Sequence, residues 1–595
     1  MAEKVKNTFN NLTNKFFIWR LKNISDKNFL LLISILIGVF VGFAALVLKF
    51  SVELVKKFVN FCVGEYAINY IYIIFPAIGI LLTIIYVNYI LKKKLGHGIP
   101  MILLAISKNN AKIPLHNVFS RIVSSSLTVG FGGSVGLEGP IVATGAAIGS
   151  NVGSFFRLNY RQIILLIGCA SAAAIAGIFK APITAVVFAI EVIMLDLTMA
   201  SLLPLLFASI SAALISFLFT GQNYVFNIEN INPFEIGELL FYILLGIVTG
   251  FFAVAFSKIH IKINSIFDHI KSKWVKYFIG SISLGLLIFL FPSLYGEGYD
   301  IIHFATEGHT DFIFENTFYN FIDSPWIIVL FLSFILIFKI FAVSATFIGG
   351  GVGGLFAPSL FLGAVLGLLY SMFLKQFGIE LSAANFALAA MAGVMSGVMH
   401  APLTAIFLIA EITGGYSLFV PLMIVSAISY FTARIFTKNS IEAYSLAEKG
   451  HLLTHNADSN MLTMMKLDEL IETNFLTIKP EASLRELLNT IIKSTRTIYV
   501  VVDEANNLKG IIWLDHIKHL IFKQEFYDSV FVKDLMYMPN PIIEINMNLK
   551  DIAKMFEETN HYNIPVIDSG KYVGFISRAK LFSKYRDLLK EFSDD

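Results

Sequence analysis

Most of this chain consists of apolar stretches as long as a lipid bilayer is thick, and they constrain the fold more than any other feature. Runs of about 20 residues, the length that spans a bilayer, cover Phe29–Phe50, Tyr70–Leu91, Leu239–Phe256 and Trp326–Phe347. Shorter apolar stretches broken by Gly and Pro lie between them. Because backbone that is not helical inside a membrane must be buried in protein or line a wet cavity, these stretches indicate re-entrant helices around a transport pathway.

The charged residues are unevenly divided along the chain. The last 138 residues hold 38 of the 87 Asp, Glu, Lys and Arg residues, and the first 457 hold the other 49. The sequence therefore predicts a membrane body at 29–437, a linker at 438–460 and a water-soluble tail at 461–595. Residues 1–28 carry a net charge of +4 before the first apolar run, which predicts a cytoplasmic N-terminus by the positive-inside rule. The tail should leave the membrane on that same side.

This composition excludes several classes of protein. A hydrophobic content of 56% rules out disorder and a collagen-like chain, and two cysteines do not make a disulfide scaffold or a metal-ligand pattern. The net charge of +3 gives no reason to expect nucleic acid as a partner. We therefore expect no metal, and no enzyme activity, since no nucleophile or metal-ligand set accompanies the few polar residues of the membrane body.

The membrane body contains one pattern twice. Six positions recur 220 residues later with the same residue: Gly177, Ala181, Pro182, Thr184, Ala185 and Glu191. Five more recur at an offset of 218: Gly133, Gly136, Pro140, Gly145 and Gly149. Membrane transporters are often built from two such halves, with the binding site at their interface. For Glu191 and its counterpart Glu411, at the ends of two apolar helices, the pattern favours a structural role.

The tail also contains a repeat. An apolar strand, a polar turn and a second strand with a central glycine occur around Gly510 and again around Gly574, each after an amphipathic stretch. This pattern predicts a small α/β module present in two copies.

Three loops of Gly and Pro precede apolar helical runs, at 96–100, 136–140 and 353–358. Proline is tolerated in the first helical turn, and glycine lets the backbone come close to a ligand. Each loop should therefore present the free N–H groups and partial positive charge of a helix N-terminus. Several such ends at one point would hold an anion without a buried Lys or Arg. Glu138 is the one carboxylate in these loops, so we expect it to compete with the anion when ionised and to act as a gate.

The loops, their order and the paired module in the tail resemble the CLC family of chloride channels and chloride/proton antiporters, with Gly296-Glu-Gly298-Tyr299 as further support. The resemblance implies an all-α polytopic membrane protein, a CLC-type inverted repeat with many re-entrant helices, followed by a cytoplasmic α/β pair of CBS domains. It also implies a voltage-gated homodimer with one anion path in each subunit. Glu138 corresponds to the family's gating glutamate. The corresponding anion-binding positions are Gly96, His97, Gly98, Ile99, Leu137, Gly139, Leu355, Phe356 and Ala357.

Three positions depart from the family pattern. His97 stands where the first loop usually has Ser, which predicts anion flux that depends on internal pH. Val192 stands where antiporters commonly have an internal proton acceptor, and valine cannot accept a proton. The family's anion-binding tyrosine falls at Glu442 or, if the alignment slips by two residues, at Tyr444. All three departures favour a channel. Val192 removes a proton acceptor, and the changes at the other two positions weaken the central site, which lets ions leave as readily as they enter.

The sequence thus predicts a passive chloride channel gated by Glu138, with His97 in the pathway as a pH-sensitive residue. The alternative is a chloride/proton antiporter of the same fold; a fluoride exporter or a CBS-bearing cation transporter is less well supported. Chloride is expected as the transported ion rather than as a cofactor, and no cofactor is expected. CBS pairs commonly bind a nucleotide, but the positions that hold ribose carry His516 and Lys580 here, so a structural tail is an equal alternative.

Overall fold

The computed structural model describes residues 19–20, 22–63, 73–93, 95–96, 98–193, 199–222, 226, 231–310, 324–448, 462, 465, 467–559 and 561–593. They divide into two compact units, Met1–Lys449 and Gly450–Asp595. We take each unit by itself.

The first unit is built from helices. In chain order these are α1 (Asp26–Val63), α2 (Ile74–Ile85, continued by a π-helix at Tyr86–Leu91), α3 (Gly98–Lys108), α4 (Asn117–Gly130), α5 (Glu138–Phe155), α6 (Tyr160–Phe179), α7 (Pro182–Glu191), α8 (Met199–Thr220), α9 (Leu239–Asp268), α10 (Lys273–Leu290), α11 (Tyr299–Glu307), α12 (Pro325–Ile348), α13 (Phe356–Lys375), α14 (Ala383–Met399), α15 (Pro402–Ile412), α16 (Phe419–Phe436) and α17 (Tyr444–Glu448). Short 3₁₀ turns occur at Ile236–Glu238 and Pro292–Leu294.

Within the described part of the chain, nine helices are long and apolar enough to cross a membrane: α1, α2 with its π-helix, α6, α8, α9, α10, α12, α13 and α16. Four apolar helices, α3, α7, α14 and α15, are shorter, at 10–17 residues. Long and short apolar helices in one body confirm the predicted all-α, multi-pass membrane architecture with re-entrant elements.

Glycines at equivalent positions of the two halves allow equivalent helix pairs to pack closely. A Cβ on Gly145 or Gly149 of α5 would lie 2.4 or 2.3 Å from backbone oxygens of α6. A Cβ on Gly363 or Gly367 of α13 would lie 2.3 Å from the backbone of α14. Small residues are the usual means of bringing membrane helices into contact, and here the duplicated glycines build α5–α6 and α13–α14 in the same way.

The second unit is an α/β structure in two copies. Its elements are α18 (Leu467–Leu470), β1 (Ile471–Glu472), β2 (Thr477–Ile478), α19 (Leu484–Lys493), β3 (Ile498–Val502), β4 (Leu508–Trp513), α20 (Leu514–Ile521), a 3₁₀ turn (Gln524–Phe526), α21 (Val532–Leu535), β5 (Ile543–Glu544), α22 (Leu549–Thr559), β6 (Asn563–Asp568), β7 (Lys571–Ser577) and α23 (Arg578–Ser593). One sheet has the strand order β2-β3-β4 and the other β1-β7-β6-β5.

Each copy packs an apolar cluster around a hairpin, and a third cluster combines side chains of both copies, such as Val500 and Phe575. In the first copy, β3 pairs antiparallel with β4, with Val500 opposite Ile511; in the second copy, β6 pairs antiparallel with β7, with Val566 opposite Gly574. The amphipathic helices α19 and α22 bury Leu487 and Phe556 against these hairpins. The strand–turn–strand repeat predicted around Gly510 and Gly574 is therefore confirmed.

Candidate functional site

The second and third Gly-Pro loops meet, although 218 residues separate them. Gly136 N–H donates to Gly354 O at 2.9 Å, and Gly354 N–H donates to Gly136 O at 2.8 Å. This reciprocal pair of bonds is what two halves related by a twofold axis would make. It brings the first turns of α5 and α13 together, because each helix begins two residues after its paired glycine.

Only glycine fits where the two loops cross. A Cβ on Gly354 would lie 2.7 Å from the backbone nitrogen of Gly139, and one on Gly353 would lie 2.2 Å from Cγ2 of Val135. Gly98, at the start of α3, is equally constrained, since its Cβ would lie 2.9 Å from Gly139 O. The glycines of all three loops therefore let the N-termini of α3, α5 and α13 approach one another, as the sequence predicts.

Glu138 lies at this meeting point, in the first turn of α5, with 2% of its surface exposed. Its Oε1 accepts a hydrogen bond of 2.7 Å from the Tyr299 hydroxyl. Its Oε2 accepts a longer bond of 3.4 Å from the backbone N–H of Ala357, in the first turn of α13. The carboxylate thus occupies a helix N-terminus of the opposite half, which is where a bound anion would find N–H donors.

Glu138 also separates two cavities. The larger, of about 250 Å³, is lined by two lysines, three glutamates, Tyr299 and apolar side chains: Lys49, Val52, Glu53, Lys56, Leu137, Glu138, Ile178, Phe179, Glu297 and Tyr299. We call it the lysine cavity. The smaller, of about 10 Å³, is lined by Ile99, Glu138, Gly139, Val142, Ile175, Phe188, Leu355, Phe356, Met399 and Glu442. We call it the central cavity; it has room for about one water molecule.

The charges of the lysine cavity are connected to one another. Lys56 Nζ lies 3.6 Å from Oε2 of Glu297, and Lys49 Nζ donates to the carbonyl oxygen of Ile178 at 2.6 Å. The fully buried Lys339 donates to Gly296 O at 3.2 Å, in the same turn as Glu297, and lies 4.5 Å from the ring centre of Phe361. Lys49, Lys56 and Lys339 thus place three basic side chains beside the glutamates of this region.

Most predicted anion-binding positions lie around these cavities. Ile99, Gly139, Leu355 and Phe356 line the central cavity, Leu137 lines the lysine cavity, and Ala357 contacts Glu138 directly. Gly96 and Gly98 line a third cavity of about 200 Å³, together with Arg121, Lys273 and the glycines at 350, 351 and 353. His97 lies outside the described residues, and its predicted role stays a prediction.

The structure distinguishes the two candidates for the family's tyrosine position. Glu442 lines the central cavity. Tyr444 begins α17 with 39% of its surface exposed and is not among the residues that line the three cavities. The alignment without a slip, which places a carboxylate at this position, therefore agrees with the geometry. Val192 is buried immediately after α7, next to Glu191.

Glu191 and Glu411 each cap a helix of the other half. Glu411 accepts bonds from Ile183 N–H at 3.0 Å and from both N–H and hydroxyl of Thr184, at 2.7 and 2.6 Å. Glu191 accepts the equivalent bonds at 3.0, 2.7 and 2.7 Å from the residues 220 positions later, Leu403 and Thr404. These contacts bind α7 to α15 and are structural.

The sequence analysis missed the cations of this region. Lys49, Lys56, Lys339 and Arg121 each stand within an apolar helix, and an ionisable residue at membrane depth is by default a functional candidate. Arg121 is 2% exposed; its Nε donates to Asn117 Oδ1 at 3.4 Å and an Nη lies 3.3 Å from Met101 Sδ. These residues could have been found in the sequence as basic side chains that interrupt apolar helical runs. No group of three or more His, Cys, Asp or Glu side chains placed to hold a metal occurs among the described residues.

Comparison with known proteins agrees with this geometry. A family model described as voltage gated chloride channel matches residues 78–434, and a CBS domain model matches residues 467–521 and 532–587. A protein of Ralstonia nicotianae described as a ClcB-like chloride channel protein is 28% identical over 379 residues, which cover 62% of this chain and 84% of that protein.

Two solved structures share the fold. A slow cyanobacterial Cl⁻/H⁺ antiporter has a TM-score of 0.59 at 20% identity and covers 72% of this chain and 98% of its own. A CLC-type fluoride/proton antiporter has a TM-score of 0.56 at 23% identity and covers 69% of this chain and 97% of its own. The family match spans more than half of the chain, and the helical body, the paired Gly-Pro loops and the duplicated tail accompany it. The chain therefore belongs to the CLC family of voltage gated chloride channel proteins, which transport anions across membranes and are not enzymes, and it ends in two CBS domains.

Proposed function

We propose that this protein is a passive chloride channel in which Glu138 is the gate. The observation that carries the proposal is the position of the Glu138 carboxylate, which lies between the lysine cavity and the central cavity. There it accepts a hydrogen bond from the N–H of Ala357. When ionised it occupies an anion's place and repels a second negative charge. When protonated it loses that charge and leaves the N–H donors of α13 to chloride.

Val192 supports passive conduction over coupled transport. Its apolar side chain, at the end of α7, cannot carry a proton between the water on one side and Glu138. A chloride/proton antiporter is the second candidate. It is supported by the fold shared with a Cl⁻/H⁺ antiporter and with a fluoride/proton antiporter, and by a second carboxylate, Glu442, on the central cavity.

The assembly and orientation follow from the family and from the charge pattern. A homodimer with one pathway in each subunit is the family arrangement, and the basic segment at 1–28 supports cytoplasmic N- and C-termini. A nucleotide at the CBS pair is less well supported. Asp515 lies one residue before the ribose-binding position, and it pairs with Lys518 at 2.6 Å on the exposed face of α20.

Proteoliposomes loaded with chloride test the proposal. Chloride efflux and proton uptake are recorded together for wild type, Glu138→Gln and protein-free vesicles. A channel releases chloride without stoichiometric proton uptake, and Glu138→Gln, which carries no charge, releases it faster at neutral pH. Proton uptake in fixed proportion to chloride would select the antiporter. Efflux of potassium or magnesium with chloride retained would overturn anion transport altogether.

A further inference from the structure

The backbone around Glu442 fixes its side chain at the central cavity. Ile441 N–H donates to Val398 O at 3.4 Å, at the end of α14, and Ala443 N–H donates to Ser440 O at 3.1 Å. Ile441 and Ala443 are 9% and 1% exposed. A residue between two buried neighbours, in a turn bonded to an adjacent helix, has little freedom to move away, and Glu442 lines the cavity from there.

Two carboxylates therefore face one small space. Glu138 and Glu442 are the ionisable residues among the side chains that line the central cavity, and Leu355 and Phe356 supply the start of α13 between them. The other lining residues are glycine or apolar. The space that should receive an anion is thus lined by two acids and by the start of α13.

The ionisable groups on the neighbouring elements do not neutralise Glu442. On α16, Arg434 donates to the Tyr430 hydroxyl at 2.5 Å. His400, after α14, lies 3.3 Å from the Thr437 hydroxyl. Lys108 ends α3 at the opposite end from Ile99, and Lys438 is exposed. None of these lines the central cavity, and His97 lies outside the described residues.

An ionised Glu442 would act against an anion in two ways. Like charges a few ångströms apart in a medium of low dielectric constant repel more strongly than they do in water. The carboxylate would also compete for the same N–H donors at the start of α13. Both effects vanish when the carboxylate takes one proton from a hydronium ion: the carboxyl O–H bond forms, one O–H bond of hydronium breaks, and water is left.

We propose that Glu442 is a second gate of the anion pathway, in series with Glu138, which admits an anion to the central cavity only when it is protonated. The inference rests on the proposed function and deepens it. Glu138 lies between the central cavity and the lysine cavity, and Glu442 lines the central cavity from the turn that follows α16.

The test separates the two gates by removing Glu138 first. Chloride efflux is measured at equal pH on both sides of the vesicle, from about pH 6 to about pH 8, for Glu138→Gln and for Glu138→Gln/Glu442→Gln. The protonated fraction of a carboxyl falls about tenfold for each pH unit above its titration midpoint. We therefore expect efflux through Glu138→Gln to fall severalfold over this range and efflux through the double variant to stay constant.

Matched variants make the outcome specific. Glu138→Gln/Glu448→Gln removes an equal charge from an exposed position on α17 and should keep the pH dependence. Glu138→Gln/Glu442→Asp keeps a carboxyl group at position 442 and should also keep the pH dependence of chloride efflux. Where Gln at 442 does not fold, as judged by gel filtration, Glu442→Tyr places the family residue there and gives the same readout.

Equal pH dependence with and without Glu442 would overturn the inference. It would leave the proposed function standing, because His97 is unchanged in both variants and would then account for the pH dependence. Absence of chloride efflux from folded wild-type protein would instead overturn the proposed function.

Discussion

At the scale of single residues, the Tyr299 hydroxyl controls how firmly Glu138 stays in place. It donates to Glu138 Oε1 at 2.7 Å, the shortest bond that this carboxylate receives in the described structure. Tyr299 begins α11 directly after Gly298, whose φ of 85° is open to glycine and rarely to other residues. The Gly-Glu-Gly-Tyr turn therefore places the Tyr299 hydroxyl within hydrogen-bond distance of Glu138, the proposed gate.

Removal of that hydroxyl should open the gate more often. A hydrogen bond to a charged group contributes about 1.5–3 kcal/mol net of the bonds that water would make. We therefore expect Tyr299→Phe to raise chloride efflux at neutral pH about tenfold or more, measured in proteoliposomes beside wild type.

Tyr370→Phe is the control for this change. It removes a hydroxyl that donates to Phe241 O at 3.1 Å, away from the cavities, and should leave efflux unchanged. Slower efflux through Tyr299→Phe would mean that the hydroxyl serves the conducting state instead.

Single residues also show where sequence reasoning ends. Glu138 stands out in the sequence because its negative side chain lies in a Gly-Pro loop, where an anion is expected to bind. Residues that conflict with their surroundings in this way usually mark functional sites. Tyr299 does not stand out, because its partner lies 161 residues away and no local pattern encodes that contact. The choice between Glu442 and Tyr444 needed the backbone, since only the turn at Ser440–Ala443 determines which side chain faces the cavity.

At the scale of helices, the two halves hold each other by exchanging helix caps. A glutamate at the C-terminal end of its own helix faces the negative end of that helix's dipole, which is unfavourable. Glu191 and Glu411 avoid this cost because each accepts three bonds from the N-terminus of the other helix, α15 or α7. The offset of 220 residues shows that the two positions are equivalent. It does not show that each side chain crosses to the other half.

The Glu191 and Glu411 caps should each stabilise the protein, and their contributions should be equal. Loss of a capping side chain typically costs about 0.5–2 kcal/mol, and loss of charge-assisted bonds somewhat more. We expect Glu191→Gln and Glu411→Gln each to lower the melting temperature in detergent by a few degrees, by equal amounts.

An exposed glutamate provides the comparison for the caps. Glu380→Gln, between α13 and α14, should not change the melting temperature. A large loss for one cap variant and none for the other would contradict reciprocal capping.

At the scale of the whole molecule, the uneven distribution of charge has a structural counterpart. The first unit hides its polar backbone in helices and exposes apolar side chains such as Leu54, Leu218 and Ile282 at 67–77%. The second unit exposes its charges and buries apolar cores of its own. Hydropathy alone predicts this division, because a surface that faces lipid is apolar whereas a surface that faces water is polar and charged. The cation cluster at Lys49, Lys56 and Lys339 was not predicted, because it is assembled from two helices far apart in the chain, α1 and α12.

The pH response of the tail should differ from that of the membrane unit, because its acids are stabilised in their charged form. Asp503 ends the first strand of a hairpin and accepts bonds from Asn507 N–H at 2.8 Å, Asn507 Nδ2 at 2.9 Å and Ala505 N–H at 3.0 Å. These bonds, with Lys509 at 3.3 Å, lower the pKa of Asp503 from 3.8 to about 2. Its contribution to stability is therefore complete above pH 3.8 and is lost as the pH falls toward 2.

Asp503→Asn should therefore destabilise the tail at neutral pH, and this difference from wild type should shrink as the pH falls through that window. The measurement uses full-length protein with Trp19, Trp274 and Trp326 replaced by Phe, so that Trp513 reports urea unfolding of the tail. Asp568→Asn, at the equivalent position of the second copy, removes a carboxylate that the Ser569 hydroxyl contacts at 3.2 Å, and its effect should be smaller. A difference between Asp503→Asn and wild type that stays constant down to about pH 2 would show that the carboxylate's charge does not stabilise the hairpin.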